Sequence, residues 1–162
     1  MGFALNEIQT NINNELPFVE SSNWGESKNW FYKDLRVHFR VTGEKSHPPI
    51  VLIHGFGASS DHWRNNAEIF ASEGFRVYGI DLIGFGKSAQ NLQGKIKYLN
   101  NQAWTNQLVS FLEEIVHIEN NGKVILIGNS LGALTAITTV SQRPELIKTI
   151  IAAPLPEPIV VS

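Results

Sequence analysis

The sequence predicts an α/β fold with a mainly parallel sheet and helices on both faces. Short, wholly apolar segments rich in β-branched residues, such as residues 50–53, are typical of strands that are covered on both sides. Segments with a helical spacing of apolar residues lie between these strands, and the connections are short. Strand–helix–strand units of this kind form right-handed crossovers, so the strands are expected to run parallel.

The predicted elements begin after an irregular N-terminal tail. Residues 1–28 show no sustained period, so they are expected to form this tail, and residues 29–162 are expected to form one partial α/β domain. The first strand is predicted from Leu35, where apolar and polar residues alternate through Val41. This alternation is typical of a half-covered strand, and it places His38 and Arg40 on the polar face.

Helices and strands then alternate to the end of the domain. They are predicted as a strand at 50–53, a helix at 61–72 capped by Ser60 or Asp61, a strand at 76–80, a helix between 98 and 118, a strand at 123–127, a helix at 131–142 and a strand at 147–152. Three prolines follow between residues 154 and 158, so no regular element is expected there. The sheet is therefore expected to be truncated after about its fourth parallel strand.

Composition excludes several classes of function. The 162 residues contain 13 Lys and Arg against 15 Asp and Glu, without a basic block, so nucleic-acid binding is not expected. The chain has no Cys, which excludes disulfides and thiolate metal sites and fits a reducing, cytoplasmic location. No apolar run is long enough to span a membrane, no signal peptide is recognisable, and neither a cofactor nor a metal site is predicted.

The most informative segment is a G-x-S-x-G sequence between an apolar strand and an apolar-periodic helix. It comprises Gly128, Asn129, Ser130, Leu131 and Gly132. In a strained strand-to-helix turn, the two glycines let neighbouring segments approach and the serine hydroxyl is pushed out above the sheet. The amide of Leu131 would lie at the helix N-terminus, where it can face a developing oxyanion. Ser130 is thus the candidate nucleophile.

Two further turns follow predicted strands. The turn after residue 53 begins His-Gly-Phe-Gly, and the amide of Phe56 could supply a second oxyanion donor. His54 is interpreted as a hydrogen-bonded structural histidine, without a role in proton transfer. The turn that begins at Asp81 is rich in glycine, and its carboxylate is expected to bind local amides as part of the scaffold.

Together these segments resemble the N-terminal half of the α/β-hydrolase family over roughly residues 30–155. The segments that carry the resemblance are HGFGASSDHW, DLIGFGKS and GNSLGA, in this order. They look closest to the pheophytinase-like and epoxide-hydrolase-like branches of photosynthetic organisms. The resemblance implies attack by Ser130 on a small-molecule ester, with the amides of Phe56 and Leu131 as oxyanion donors and water completing the hydrolysis.

The sequence lacks a histidine at the position where the family has its general base. The family order places an acid and then a histidine after the nucleophile, whereas all five histidines precede Ser130, and only Glu145 and Glu157 follow it as carboxylates. Glu157 is expected on an exposed loop between prolines. This pattern fits a truncated or frameshifted hydrolase, one half of a split protein, or a relic without turnover, and weak or no esterase activity is expected from the chain alone.

Two other functions remain open at this point. The unpaired edge of a shortened sheet could dock a partner chain or drive self-association. Alternatively, Gly55, Gly57 and Ser60 follow a strand in a pattern similar to a dinucleotide fingerprint, with Asp81 about 20 residues on, although the last glycine is replaced.

Overall fold

The described part of the chain forms one six-stranded sheet. The computed structural model describes residues 24–153 apart from positions 91 and 93, so the predicted loop after residue 153 lies outside it. The strands are β1 (Glu26–Tyr32), β2 (Leu35–Thr42), β3 (Pro49–Ile53), β4 (Arg76–Ile80), β5 (Val124–Gly128) and β6 (Ile147–Ala152). Their order in the sheet is β1-β2-β4-β3-β5-β6. The strands β3 to β6 pair in parallel, and β1 and β2 add an antiparallel hairpin at one edge, so the predicted, mainly parallel sheet is confirmed.

Four helices connect or flank these strands. They are α1 (Ala67–Ser72), α2 (Asn101–Phe111), α3 (His117–Glu119) and α4 (Leu131–Gln142). A π-helical turn at Leu112–Val116 joins α2 to α3, so the helix predicted between 98 and 118 is present. It begins at Asn101 because the Asn100 side chain accepts a hydrogen bond from the amide of Ala103 and thereby caps it.

The helix predicted over residues 61–72 is divided in two. A 3₁₀ turn at Ser60–Trp63 precedes α1, and a hydrogen-bonded turn separates them. The Ser59 hydroxyl caps the 3₁₀ turn by accepting from the amide of Asp61, and the amide of Ser60 donates to the carboxylate of Asp81 at 2.6 Å. Because this first turn is fastened to the end of β4, it cannot continue straight into α1.

The helices cover both faces of the sheet, as predicted. Because side chains alternate along a strand, Val51 and Ile53 of β3 face α2 and α4, whereas Ile50 and Leu52 face α1 and the 3₁₀ turn. The larger core includes the buried residues Trp104, Leu108 and Phe111 of α2, and the smaller one includes Trp63 and Ala67. The parallel strands are therefore buried on both sides, which explains their wholly apolar sequences.

The predicted boundary of the N-terminal tail at residue 28 is wrong. Strand β1 begins at Glu26, and Trp24 before it is only 3% exposed. The hairpin turn between β1 and β2 places Lys33 and Asp34 at φ 50° and 59°, as a type I′ turn requires. Such turns are usually signalled by Asn-Gly or Asp-Gly, so the Lys-Asp pair left no recognisable sequence signal.

The polar face predicted for β2 is also wrong, since His38 and Arg40 are each only 2% exposed. His38 lies against the carboxylate of Asp81, and the Nε atom of Arg40 lies 2.9 Å from Oδ1 of Asp61. Buried cationic or polar side chains are tolerated where carboxylates pair with them. Both acids come from segments distant in sequence, so the alternation within β2 alone could not reveal this burial.

Candidate active site

Ser130 lies at a strained turn between the end of β5 and the start of α4. Its backbone angles are φ 51° and ψ −112°, a conformation that L residues with side chains rarely adopt. The residue is partly exposed, and α4 begins directly after it. Its position matches the strand-to-helix turn that the G-x-S-x-G sequence predicts.

Gly128 and Gly132 allow the segments around Ser130 to approach one another. A β-carbon on Gly128 would lie 2.4 Å from the carbonyl carbon of Gly132, and one on Gly132 would lie 2.2 Å from the carbonyl oxygen of Ile53. Both distances are shorter than any real contact, and the opposing atoms are backbone. The turn therefore requires glycine at both positions.

The end of β3 lies beside this turn. The amide of Asn129 donates to the carbonyl oxygen of Ile53 at 3.1 Å, and a β-carbon on Gly55 would lie 3.5 Å from Cβ of Ser130. The segment that carries Phe56 is thus brought next to Ser130. Within the described residues, no hydrogen bond uses the amide of Phe56 or that of Leu131. Both amides are therefore without a hydrogen-bonding partner in the part of the chain that the structure describes.

His54 holds this segment in place. Its Nε2 accepts a hydrogen bond from the amide of Leu82 at 3.0 Å, so Nδ1 carries the proton and donates to the carbonyl of Gly55 at 2.7 Å. Burial lowers the pKa of His54, and the Gly55 carbonyl opposes this only in part, so the ring is held neutral. The interpretation of His54 as a structural, hydrogen-bonded histidine agrees with these contacts.

The contacts of His54 also orient the amide of Phe56. The Gly55 carbonyl and the Phe56 N–H belong to the same peptide unit, which is trans. In a trans peptide the two groups point in opposite directions. Because His54 binds the carbonyl from the protein interior, the N–H is directed away from it. The exposed Phe56 ring packs edge-on against Phe85, with centroids 5.2 Å apart, which further supports the segment.

Asp81 organises the neighbouring turn. Its carboxylate accepts hydrogen bonds from the amides of Ser60 and Lys87 and from Nδ1 of His38. Burial alone would raise the pKa of Asp81, but the hydrogen bonds from His38, Lys87 and Ser60 lower it to about 2. The buried Gln107 side chain donates to the Asp81 carbonyl. The predicted binding of local amides by Asp81 is thus present, whereas the contact with His38 was not foreseen.

No histidine of the described residues is hydrogen-bonded to Ser130. His38 and His54 are bound in the networks above, and His62 packs against Trp63. Glu145 pairs with Arg143 at the surface, and Glu157 lies outside the described residues. The structure therefore brings together the serine and two amides, without a general base beside them in the part that it describes.

The geometry does not favour a dinucleotide site. A dinucleotide fingerprint places pyrophosphate at the N-terminus of a long helix, whereas the turn after Gly57 leads only into the 3₁₀ turn Ser60–Trp63. The acidic residue of that fingerprint must also be available for ribose, and both oxygens of Asp81 are already bound by protein groups. The second alternative from the sequence is therefore set aside.

Comparison with known proteins agrees with this geometry. Residues 48–155, more than half of the chain, match the family model described as alpha/beta hydrolase fold. The chain belongs to the α/β-hydrolase family. It is 30% identical over 124 residues to Epoxide hydrolase 4 of Mus musculus, covering 76% of the chain and 33% of that protein. It is 32% identical over 107 residues to 2-hydroxy-6-oxo-6-(2'-aminophenyl)hexa-2,4-dienoic acid hydrolase of Metapseudomonas resinovorans, covering 64% and 34%.

A solved structure supports the same assignment for this α/β-hydrolase chain. The thioesterase domain from the curacin biosynthetic pathway superimposes with a TM-score of 0.76 at 27% identity, covering 85% of this chain and 48% of that one. The chain spans about a third of the length of the curated relatives described above. In the part that the structure describes, no helix has the length and apolar character needed to cross a membrane.

Proposed function

We propose that Ser130 is the nucleophile of a serine hydrolase that acts on small-molecule carboxylic esters. The hydroxyl oxygen attacks the ester carbonyl, and the amides of Phe56 and Leu131 bind the resulting oxyanion. The alcohol then leaves, and water hydrolyses the acyl-enzyme. The observation that carries this proposal is the φ of 51° at Ser130, a strained backbone angle of the kind that clusters at active sites.

The surrounding contacts support the same roles. The turn is built from Gly128, Asn129 and Gly132 so tightly that Ser130 has little freedom to relax into a helical conformation. The amide of Leu131 is the first of α4, where the positive end of the helix dipole favours negative charge. Preorganised donors of this kind contribute about 10²–10³ each to the rate of acyl transfer.

The general base is proposed to come from sequence beyond the described residues or from a partner chain. His38 and His54 are bound to other groups, His62 packs against Trp63, and no hydrogen bond joins a histidine of the described part to Ser130. Family membership implies that the base follows the nucleophile in sequence. We accordingly expect slow turnover by this chain alone, with acylation of Ser130 faster than that of an ordinary serine. A cytoplasmic location remains a prediction from the absence of Cys.

Acylation by 4-nitrophenyl acetate tests this proposal. The release of nitrophenol should fall in Ser130→Ala, and peptide mass spectrometry should find the acetyl group on Ser130 of the native chain. Ser141→Ala is the matched control, because Ser141 lies on the same helix and its hydroxyl only donates to the Thr138 carbonyl. If Ser130→Ala and Ser141→Ala release nitrophenol equally fast and the Ser130 peptide carries no acetyl group, Ser130 is not the nucleophile.

We propose self-association through β6 as a second function. Strand β6 is the last in the sheet order, and within the described residues no strand pairs with its outer side. Ile151 on this strand is 51% exposed. Unpaired apolar edges readily add another strand. Light scattering should therefore detect dimers or larger species that Ile151→Lys converts to monomers, whereas a native chain that is monomeric at all concentrations would contradict the proposal.

A further inference from the structure

A second serine, distant from Ser130, is hydrogen-bonded to a histidine and an aspartate. Nδ1 of His38 lies 2.9 Å from Oδ2 of Asp81, and Nε2 of the same ring lies 2.8 Å from Oγ of Ser27. These three residues, hereafter the Ser27 array, come from β1, β2 and the end of β4. None of them contributes to the proposed reaction at Ser130.

The protons of the Ser27 array can be assigned from its partners. The Asp81 carboxylate already accepts hydrogen bonds from two amides and acts only as an acceptor, so Nδ1 of His38 carries a proton and donates to it. In a neutral ring Nε2 is then an acceptor, and the Ser27 hydroxyl donates to it. A serine that donates to an imidazole held by a carboxylate has the arrangement that activates serine nucleophiles.

Among the residues that the structure describes, the serine is the exposed member of the Ser27 array. His38 and Asp81 are 2% and 1% exposed, whereas Ser27 lies exposed on the edge strand β1. The ring of His38 is consequently fixed, and the part-buried hydroxyl of Ser27 lies between this ring and the exposed surface of β1. Ser27 also pairs directly with Arg40 across β1 and β2. The Arg40 guanidinium donates to the Trp24 carbonyl and pairs with Asp61, which holds the strand opposite Ser27 in place.

We infer that Ser27 is a second acyl- and phosphonyl-accepting site, activated by His38 and Asp81 and independent of Ser130. Its substrates are activated carboxylic esters and organophosphorus compounds with a good leaving group. Strands β1 and β5 are separated in the sheet by β2, β4 and β3, so a reaction at Ser27 does not involve the turn at Ser130. A group attached to Ser27 would therefore lie on the edge strand β1, and not at the turn that contains Ser130.

The reaction balances without a cofactor. With 4-nitrophenyl acetate, a bond forms between Oγ of Ser27 and the acetyl carbon, and the bond between that carbon and the nitrophenolate oxygen breaks. The proton of the hydroxyl passes to Nε2 of His38 and from there to the leaving nitrophenolate. With a fluorophosphonate, a bond between Oγ and phosphorus replaces the phosphorus–fluorine bond, fluoride leaves, and the hydroxyl proton passes through Nε2 of His38 to solvent.

Peptide-resolved labelling of the full chain in a Ser130→Ala background tests this inference. Ser46 serves as the internal reference, because it is also exposed and no hydrogen bond joins it to a histidine within the described residues. Ser27 should react with a fluorophosphonate about tenfold faster than Ser46 or more, since a positioned general base contributes about 10²–10⁴. In concentrated urea the two serines should react at equal rates because the array is lost. Equal rates in the folded chain would overturn the inference.

His38→Gln supplies the second arm of the test. Glutamine preserves a buried hydrogen-bonding side chain but cannot act as a base, so the rate at Ser27 should fall to that of Ser46 while the rate at Ser46 stays unchanged. If Ser27 remains faster than Ser46 in this variant, its reactivity does not come from His38 and the inference fails. If the variant does not fold, the rates at Ser27 and Ser46 in the native and the urea-unfolded chain decide whether the Ser27 array activates Ser27.

Discussion

Gly132 lies so close to Ile53 that a β-carbon on the glycine would fall 2.2 Å from the Ile53 carbonyl oxygen. Gly132 is the second residue of α4, and Gly→Ala within a helix ordinarily stabilises it by about 1 kcal/mol. We expect the opposite sign here. Gly132→Ala should lower the free energy of unfolding by about 1–3 kcal/mol, because the added methyl group forces α4 away from β3. Urea unfolding followed by circular dichroism measures this change.

Gly74→Ala is the control for this prediction. Nothing lies within 4 Å of a β-carbon at Gly74, although its φ of 86° is unfavourable for alanine. Gly74→Ala should therefore lower the free energy of unfolding only through backbone strain, by about 1–2 kcal/mol. Only Gly132→Ala should also slow acetylation of Ser130, since only Gly132 lies at the turn. Unchanged acetylation in Gly132→Ala would mean that the close approach of α4 and β3 does not position Ser130.

His54→Ala should reduce acetylation of Ser130 as well as stability. Without the bond from Nδ1, the Gly55 carbonyl keeps only the amide of Ala58 as a donor, so the peptide between Gly55 and Phe56 is held less firmly and its N–H, the proposed oxyanion donor, is less well oriented. The buried amide of Leu82 also loses its acceptor, which costs about 1–3 kcal/mol. Acetylation of Ser130 is measured by peptide mass spectrometry under conditions in which the variant remains folded.

His62→Ala is the matched histidine control. His62 is exposed and only packs against Trp63, so its removal should change the free energy of unfolding by less than about 0.5 kcal/mol. Acetylation of Ser130 should stay at the native rate. A folded His54→Ala variant that acetylates Ser130 as fast as His62→Ala does would show that His54 has no positioning role.

Asp81 should make the fold sensitive to acid. Its pKa is about 2 in the folded chain, against an ordinary value of 3.8, so the unfolded chain binds the proton more readily. The stabilisation is complete above pH 4 and is lost as the pH falls toward 2, and it amounts to about 2 kcal/mol. Urea unfolding at a series of pH values should show this loss in the native chain.

Asp81→Asn should remove the contribution of Asp81 to this acid dependence. The substitution also disturbs the buried hydrogen bonds that the carboxylate accepts from His38, Ser60 and Lys87, so the variant should be less stable at neutral pH by about 1–3 kcal/mol. The difference in stability between the native chain and the variant should therefore narrow on acidification. A difference that stays constant between pH 4 and pH 2 would contradict the depressed pKa of Asp81.

Trp24→Ala should destabilise the chain strongly. The indole is 3% exposed and packs against Gly79, and its Nε1 donates to the Ser60 carbonyl at 3.1 Å. Removal of a buried aromatic side chain costs about 3–5 kcal/mol. Phe31→Ala in the adjacent strand is the control, since Phe31 is 65% exposed and should cost less than about 0.5 kcal/mol. Similar losses in both variants would place Trp24 outside the core.

The sequence by itself determined the parallel strands and the turn that contains Ser130. Strands such as β3 are buried on both faces, so their residues must be apolar throughout, and this local property is visible without coordinates. The glycines around Ser130 satisfy a backbone requirement that involves only a few consecutive residues. The strand predicted before this segment and the helix predicted after it then indicated a strand-to-helix turn.

Only the tertiary structure decided the fates of Trp24, Ser27, His38 and Arg40. Trp24 and Ser27 were expected in a tail, and His38 and Arg40 on a polar face. Trp24, His38 and Arg40 are instead buried, and Ser27 is hydrogen-bonded to the buried ring of His38. Ser27 meets His38 on the neighbouring strand, whereas the partners of the other three include Asp81 directly after β4 and residues of the 3₁₀ turn, tens of residues away. A polar side chain can be buried only where it forms a hydrogen bond or an ion pair, here with a carboxylate or carbonyl from a distant part of the chain. The periodicity of a single strand does not show whether such a partner is present.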